Sequence, residues 1–364
     1  MEFLKTKSRV VVAMSGGVDS STVAAMLKDK GHEVIGITMQ LWDYGESSGG
    51  CCSADEVRDA RNVARQIGIP HYVANYMEPF KKTVVSDFID NYKSGQTPVP
   101  CTLCNQFMKF DLLLRRAREL GADALATGHY AQVKNESGGR ALFKGVDDGK
   151  DQTYFLWTLK QRELKRLVFP LGESTKTEVR EKARAFGLDV AEKPESMGVC
   201  FLTGGDYRNF LRMKTGGNLA PEGDMVDTGG NKIGGHKGVH SYTVGQRKGL
   251  GIPTTDSESN PKYVVEINAE KNRVVVGSER DLYSGGLVAE GLSWVKSAPP
   301  GKSRVRAKIR HRHREEDAVI EINGDAAAVT FADPQRAVTP GQAVVFYDKG
   351  EVLGGGWIKK ALPV

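Results

Sequence analysis

The sequence lacks the features that mark several common classes of protein. No apolar run approaches the ~18 residues that a membrane-spanning helix requires. Cysteine is scarce, with five residues in 364, an odd number that does not fit the paired cysteines of a secreted disulfide scaffold. The short, charged stretch 1–9 does not follow the pattern of a signal or transit peptide. We therefore expect a cytoplasmic protein without a membrane partner.

Internal repeats and low-complexity segments are also missing, and the composition is that of a globular protein with a core. Hydrophobic residues make up 40% of the chain and charged residues 26%. A length of 364 residues predicts two or three domains. The formal net charge of +6 is compatible with an anionic partner, but the charge indicates a binding surface only where the cations cluster.

A glycine pair stands between a strand pattern and a helix pattern near the start of the chain. The apolar run 10–12 precedes Ser-Gly-Gly-Val-Asp-Ser at 15–20, and helical spacing follows. Backbone N–H groups beside two glycines can surround phosphate oxygens, and the helix adds its positive N-terminus. Asp19 can hold a magnesium ion or orient the loop. A tight turn with a helix cap is the alternative, whereas a Walker loop is excluded because its Gly-Lys-Ser/Thr ending is missing.

Strand and helix patterns then alternate as far as residue 210, which predicts a doubly wound parallel sheet. The expected elements include strands at 33–39, 72–74 and 122–127, and helices opened by the capping boxes Ser53/Glu56 and Thr175/Glu178. Ligands bind beyond the C-terminal ends of strands in such sheets. The glycine loop, Met39 and Gly128-His129 all fall at strand ends, so we expect them to face one crevice.

Two smaller units are expected after this α/β domain. Residues 211–278 are glycine-rich and basic and contain a hairpin pattern at 263–277, which predicts a small, mostly β unit. Only strand patterns follow, which predicts a small barrel or sandwich. The expected domains are a Rossmann-like α/β domain at 1–210, a small central domain at 211–278 and a C-terminal β-barrel at 279–364.

The cysteines admit several interpretations. Cys101 and Cys104 form a Cys-x-x-Cys pair that suits a redox pair, half a zinc site or a structural role. Asn105 can cap a helix, which would put Cys104 near a positive helix end and lower its thiol pKa. Zinc is disfavoured because Cys200 is the only other distant soft ligand. Cys200 itself is as compatible with a buried small side chain as with chemistry, and Cys51-Cys52 are expected to pack a loop.

Cations alternate along one stretch near the C-terminus. Even-numbered positions carry them: Arg304, Arg306, Lys308, Arg310, Arg312 and Arg314. In a strand these six side chains would share one face, with Val305, Ala307 and Ile309 on the other. A solvated strand face is the alternative, but six like charges repel, so a polyphosphate backbone is the favoured partner.

Together these motifs resemble the PP-loop ATP pyrophosphatases and, over nearly the whole chain, the tRNA-specific 2-thiouridylases of the MnmA family. Besides the glycine loop, the matching segments are Cys51-Cys52-Ser53, Leu103-Cys104-Asn105, Ala126-Thr127-Gly128-His129-Tyr130, Lys150-Asp151-Gln152, Tyr154-Phe155-Leu156, 196–201, 242–251 and Thr339-Pro340-Gly341-Gln342.

The resemblance implies a role for each matching position. The implied ATP-binding residues are Ala13, Met14, Ser15, Gly16, Gly17, Val18, Asp19, Ser20, Met39 and Gly128. Cys200 would carry sulfur as a persulfide, and Cys104 would be its partner nucleophile. The implied tRNA contacts are Val99, Pro100, Cys101, His129, Lys150, Asp151, Gln152, Arg310, His311 and Gln342.

The implied reaction is ATP-dependent 2-thiolation of the wobble uridine of tRNA, with ATP and Mg²⁺ required. Adenylation of the C2 oxygen releases pyrophosphate, and sulfur from Cys200 then displaces AMP. Cys104 either releases sulfide from the persulfide or afterwards closes a disulfide with Cys200. A sulfur-relay protein or cysteine desulfurase would reload Cys200.

One departure from the family opens a further hypothesis. Many members have Asn-Pro-Asp where this chain has Val99-Pro100-Cys101, so the usual acid is absent. Cys101, Cys104 and Cys200 together would suit a [4Fe–4S] cluster with one open iron. Two other functions are alternatives: a PP-loop ligase that adds ammonia or an amine, and a non-catalytic tRNA-binding protein.

Overall fold

The computed structural model describes residues 4, 7–43, 54–195, 198–202, 206–252 and 261–364. The strands of the N-terminal part are β1 (Arg9–Ala13), β2 (Glu33–Gln40), β3 (His71–Asn75), β4 (Ala124–Ala126), β5 (Ala131–Glu136), β6 (Gly139–Lys144) and β7 (Leu167–Val168). The helices are α1 (Val18–Asp29), α2 (Ala54–Gln66), α3 (Met77–Phe80), α4 (Ser86–Lys93), α5 (Pro100–Leu103), α6 (Leu114–Glu119), α7 (Gln161–Leu164), α8 (Lys176–Ala185) and α9 (Tyr207–Lys214). Ser53 and the Cys51-Cys52 pair lie outside the described residues, so their predicted cap and loop packing are not observed.

The predicted parallel sheet is confirmed, with strand order β3-β2-β1-β4-β7. Alternate residues of β1 pack on opposite sides: Val10 and Val12 join one hydrophobic cluster, and Val11 joins another. Helices therefore cover both faces of the sheet. Strand β1 pairs in parallel with both β2 and β4. The order in which successive strands are added changes direction between β1 and β4, and open α/β sheets bind ligands at such a switch point.

The helix that carries the Cys-x-x-Cys pair begins earlier than the sequence predicted. Pro100 occupies its first turn, and the helix continues through the π-helical segment Cys104–Leu113 into α6. The prediction that Asn105 caps this helix is wrong, because Asn105 lies inside it and its side-chain amide donates to the Phe155 carbonyl at 3.1 Å. The expected helix-end effect on Cys104 therefore loses its basis.

The central unit contains β8 (Gly223–Asp227), β9 (Lys232–His236), β10 (Tyr263–Asn268) and β11 (Arg273–Gly277), in the order β10-β11-β8-β9. The predicted hairpin of β10 and β11 is confirmed.

The C-terminal strands are β12 (Tyr283–Trp294), β13 (Lys302–Lys308), β14 (Glu316–Asn323), β15 (Ala326–Arg336), β16 (Ala343–Asp348) and β17 (Glu351–Leu362). They run in the order β12-β15-β14-β13-β16-β17, and pairing of β12 with β17 closes the barrel. The β5–β6 hairpin of the N-terminal part joins this barrel through Phe143 and Glu351, a connection absent from the sequence prediction. The division at residues 210 and 278 stays a prediction. No helix in the described ranges is long and apolar enough to cross a membrane.

Candidate active site

The glycine loop, residues 15–20, connects β1 to α1 in a shape that requires glycine at one position. Gly16 has a φ angle of +76°, and a Cβ atom there would overlap the carbonyl oxygen of Glu56. Gly17 is the N-cap of α1 and offers no side-chain acceptor to the first-turn amides. Those amides and the helix dipole therefore favour an anion at this end of α1.

Hydroxyl groups and a neighbouring strand complete this cradle. Ser20 Oγ accepts the Ser15 N–H at 3.1 Å and lies 3.2 Å from Ser15 Oγ. Gly128 lies just after β4 and packs directly against α1. A Cβ atom at this position would lie 3.0 Å from Ser20 N. The ends of β1 and β4 thus meet at one place, and its backbone and hydroxyl donors fit a polyphosphate.

Asp19 is engaged by a lysine of the protein. Lys176 Nζ lies 2.7 Å from Oδ1 and 2.8 Å from Oδ2, and the Tyr130 hydroxyl donates to Oδ1 at 2.9 Å. Burial and the Asp19 charge raise the pKa of Tyr130, so its hydroxyl keeps the proton that it donates. Among the described residues, no group of three or more His, Cys, Asp or Glu side chains can hold a metal ion. Because Lys176 and Tyr130 engage the Asp19 carboxylate, these contacts favour the expectation that Asp19 orients the loop.

Two lysines distant in sequence, Lys176 and Lys193, contact the glycine loop, and sequence reasoning missed both. Lys176 also contacts Glu195 Oε1 at 3.0 Å, and Lys150 contacts Glu195 Oε2 at 2.7 Å. Hydrogen bonding from Lys150, the largest influence, lowers the pKa of Glu195. Lys193 donates to the Gly16 carbonyl at 3.1 Å. No local pattern marks Lys176 or Lys193, because only the tertiary fold brings them to the loop.

A lysine on the cysteine-bearing helix reaches the same crevice. Lys109 Nζ lies 3.3 Å from His129 Nε2, and His129 Nδ1 lies 2.6 Å from Thr127 Oγ1. Burial, with a smaller contribution from Lys109, lowers the pKa of His129 well below its ordinary value. His129 is therefore a neutral side chain at the end of β4. This contact links the helix of Cys104 to the sheet edge, and sequence reasoning did not single out Lys109.

The cysteines differ in their surroundings. Cys101 is exposed, whereas Cys104 and Cys200 are half-buried against the same hydrophobic cluster. Phe201 anchors the Cys200 segment, since its ring packs 5.1 Å from Phe88 and 5.2 Å from Phe210. The three cysteines form no metal-binding group, so the iron–sulfur hypothesis finds no support.

Several predicted tRNA contacts belong to one network between the α/β domain and the barrel. Asp151 is 2% exposed, and Lys308 of the barrel lies 3.8 Å from its Oδ2. His311 Nε2 lies 3.2 Å from the Asp151 carbonyl oxygen. Gln152 Oε1 accepts the Tyr130 N–H at 3.0 Å. In this structure these side chains contact protein atoms, and their contact with tRNA stays a prediction.

The alternating cations do not form the uniform face that the sequence predicted. Strand β13 ends at Lys308, which is 6% exposed and is covered by Asp151. Arg310 is half-buried and donates to the Ala337 carbonyl. The exposed members are Arg304, Arg306, Arg312 and Arg314. The opposite face is as predicted, because Val305, Ala307 and Ile309 are all buried.

The remaining predicted site residues are mostly inside the protein. Among the predicted ATP contacts, the buried side chains are Met14, Val18, Ser20 and Met39, and Ala13 is half-buried at the end of β1. Val99 and Pro100 are buried before Cys101, and Gln342 Nε2 donates to the Thr97 carbonyl at 2.9 Å.

Three family models match the chain. Residues 8–204 match the tRNA methyl transferase HUP domain, residues 208–278 the tRNA methyl transferase PRC-barrel domain, and residues 284–358 the aminomethyltransferase beta-barrel domain.

Three curated relatives that match along almost the full length of the chain bear the name tRNA-specific 2-thiouridylase MnmA. The protein of Geobacter metallireducens is 52% identical, with 98% of both chains covered. That of Geotalea uraniireducens is 49% identical over 98% of this chain and 96% of its own. That of Carboxydothermus hydrogenoformans is 48% identical over 98% and 99%.

Proposed function

The chain belongs to the family of tRNA-specific 2-thiouridylases, and from this premise we propose that it replaces the C2 oxygen of the wobble uridine of tRNA with sulfur. It is a tRNA sulfurtransferase that consumes ATP and releases AMP and pyrophosphate. Oxide is a very poor leaving group, so the oxygen must be adenylated before sulfur can displace it. The reaction takes place in the cytoplasm, where tRNA is available.

The activation step uses the crevice between β1 and β4. The target uridine leaves its stack and enters this crevice. Its C2 oxygen attacks the α-phosphorus of ATP, and the bond to pyrophosphate breaks as the new C2–O–P link forms. The first-turn amides of α1, with Lys176 and Lys193, stabilise the charge on the phosphate oxygens. Magnesium enters as part of the Mg–ATP substrate, and no step is assigned to a protein-held ion.

The sulfur step uses Cys200 and Cys104. The terminal sulfur of a Cys200 persulfide attacks C2 and displaces AMP, which leaves the base joined to Cys200 through a disulfide. The Cys104 thiolate attacks Cys200 Sγ, the bonding electron pair leaves with the base sulfur, and a Cys104–Cys200 disulfide remains. A thiol reductant then returns two electrons. In the other possible order Cys104 attacks the persulfide first, and the released sulfide displaces AMP.

Two partners follow from this chemistry. A persulfide-bearing donor, either a sulfur-relay protein or a cysteine desulfurase, reloads Cys200 after each cycle. The tRNA binds through its phosphates to the exposed arginines of the barrel, namely Arg304, Arg306, Arg312 and Arg314. The buried His129 shapes the crevice that receives the base instead of binding the RNA backbone.

The observation that supports this proposal most directly is the contact between Lys109 and His129. One helix carries Cys104 and, five residues later, Lys109, whose Nζ reaches the side chain that follows Gly128 at the nucleotide crevice. This contact supports a common location for the sulfur chemistry and the ATP chemistry.

Mass spectrometry of nucleosides tests the proposal. Unmodified tRNA is incubated with the protein, Mg–ATP and a persulfide-generating cysteine desulfurase with cysteine, and 2-thiouridine is expected at the wobble position. If the folded protein forms no 2-thiouridine, the proposal is refuted. Ammonia-dependent product from Cys200→Ala would instead identify a PP-loop ligase, and tRNA binding without pyrophosphate release would identify a non-catalytic protein.

A further inference from the structure

A turn of the C-terminal barrel is hydrogen-bonded to the loop that leads into the Cys-x-x-Cys helix. The Thr97 N–H donates to the Pro340 carbonyl at 2.9 Å. Gln342 Nε2 donates to the carbonyls of Thr97, at 2.9 Å, and Pro98, at 3.4 Å. The turn is fixed to its own barrel, because the Gly341 N–H donates to the Ile358 carbonyl at 2.9 Å.

Gly341 brings the two backbones into direct contact. Its φ angle is +87°, and a Cβ atom there would lie 2.8 Å from Thr97 N and 2.9 Å from Gln96 Cβ. Both distances are shorter than the closest approach that a carbon side chain tolerates. Any side chain at position 341 therefore pushes the 96–97 backbone away from the barrel.

The segment between Thr97 and Cys101 is stiff enough to transmit such a displacement. Pro98 and Pro100 fix their own φ angles and restrict the residues before them. Pro98, Val99 and Pro100 are all buried. The buried carbonyl groups of this segment need hydrogen-bond donors, and the Gln342 side chain donates to those of Thr97 and Pro98.

The barrel also supports the far side of the cysteine pair. The His311 ring lies 4.5 Å from the Phe155 ring, at an interplanar angle of 34°. The Phe155 carbonyl accepts the side-chain N–H of Asn105, the residue after Cys104. Contacts from the barrel thus reach the cysteine segment before Cys101 and after Cys104.

We propose that the Thr339–Gln342 turn positions the cysteine loop, residues 96–104, so that the barrel controls the sulfur-transfer step in addition to RNA binding. Gln342 is a positioning residue in this scheme, because it acts on the cysteines through the Thr97 and Pro98 carbonyls. The catalytic consequence rests on the proposed role of Cys104, whereas the positioning itself can be measured without any reaction.

The test compares two glycine variants of the same barrel. Gly341→Ala adds a methyl group against Thr97, whereas Gly324→Ala adds one at a φ angle of +63° with no atom within 4 Å. The full-length proteins are alkylated with iodoacetamide without RNA, and Cys101 and Cys104 are followed by peptide mass spectrometry. We expect Gly341→Ala to change the alkylation rate of one or both cysteines by about threefold or more, and Gly324→Ala to leave both rates as in wild type.

A second variant guards against misfolding of the first. Gln342→Glu keeps the side-chain length but removes both N–H donors. Single-turnover thiolation at saturating tRNA should slow by about tenfold or more in this variant, together with altered alkylation. If Gln342 serves only to bind RNA, Gln342→Glu lowers tRNA affinity but leaves the alkylation rates and the thiolation rate at saturating tRNA unchanged. That result would refute the positioning role. If alkylation is altered in the variants but the wild-type protein makes no 2-thiouridine, the positioning role stands and only the proposed function is refuted.

Discussion

Lys109 Nζ and His129 Nε2 lie 3.3 Å apart, so the lysine donates to an unprotonated ring nitrogen. The other ring nitrogen, Nδ1, then carries the proton and donates to Thr127 Oγ1 at 2.6 Å. A neutral imidazole of one tautomer satisfies both contacts. The His129 ring thereby joins the cysteine-bearing helix to the sheet edge. Protonation of Nε2 would break its hydrogen bond with Lys109.

Removing the Lys109 charge should raise the pKa of His129. Burial lowers that pKa most, and the lysine lowers it further, so Lys109→Met should move it towards its ordinary value without reaching it. The ring C–H resonance, identified by its absence in His129→Gln, reports the titration by NMR. Lys109→Arg keeps the charge and is the matched control. An unchanged or lower pKa in Lys109→Met would show that the lysine does not act on the ring.

The protein should lose stability as the pH falls below about 6.5. Burial lowers the pKa of five histidines, namely His71, His129, His240, His311 and His313. Below their ordinary pKa the unfolded chain binds protons that the folded chain does not, so the free energy of unfolding decreases. A histidine that stays neutral contributes a loss of about 1.4 kcal/mol per pH unit in this range. Urea unfolding at pH 7.5 and 5.5 measures the loss, and His129→Gln should reduce it.

Two adjacent glycines should separate folding from nucleotide binding. Gly16→Ala should destabilise the protein by about 1–3 kcal/mol, because it combines a positive φ with overlap of the Glu56 carbonyl. A Cβ at Gly17 would meet only Ser15 Oγ, at 3.5 Å, so Gly17→Ala should fold normally. It should still weaken ATP binding about tenfold or more, because its methyl group occupies space beside the first-turn amides. Calorimetric ATP binding equal to wild type in Gly17→Ala would contradict the cradle.

Substitutions of two cations of β13 should affect different properties: one should lower stability, and the other should weaken RNA binding. Lys308→Met leaves the Asp151 carboxylate buried without its cation and should cost about 3 kcal/mol. Arg304 is exposed, so Arg304→Met should leave stability nearly unchanged and reduce the salt dependence of tRNA binding by about one ion. Denaturant unfolding and filter binding at several salt concentrations measure the two effects. Equal salt slopes for wild type and Arg304→Met would remove this residue from the RNA surface.

Local patterns predicted the elements of the sheet well. The strand over the apolar run 10–12 and the Thr175–Glu178 capping box both depend on neighbours in sequence, and both are confirmed. The prediction for Asn105 is wrong because two helix-start signals lie within six residues, and the helix begins at the first of them, Pro100. The predicted strand face of cations failed at Lys308 because its environment is set by Asp151, which lies 157 positions earlier.

The site itself was predicted less completely than the fold. The glycine loop and the cysteine pair have sequence signatures, whereas Lys109, Lys176 and Lys193 have none. Their roles arise from contacts between segments far apart in the chain. Single lysines on helices and loops are usually solvated, and no spacing rule distinguishes one that reaches a crevice.

In the proposed reaction the chain first activates the uridine oxygen with ATP and then delivers sulfur from Cys200. Pyrophosphate release by Cys200→Ala, in the presence of unmodified tRNA and ATP, tests this order most directly. We expect tRNA-dependent release of about one pyrophosphate per enzyme-bound tRNA, with no 2-thiouridine formed. Undiminished 2-thiouridine formation in this variant, or the absence of tRNA-dependent pyrophosphate release, would contradict it.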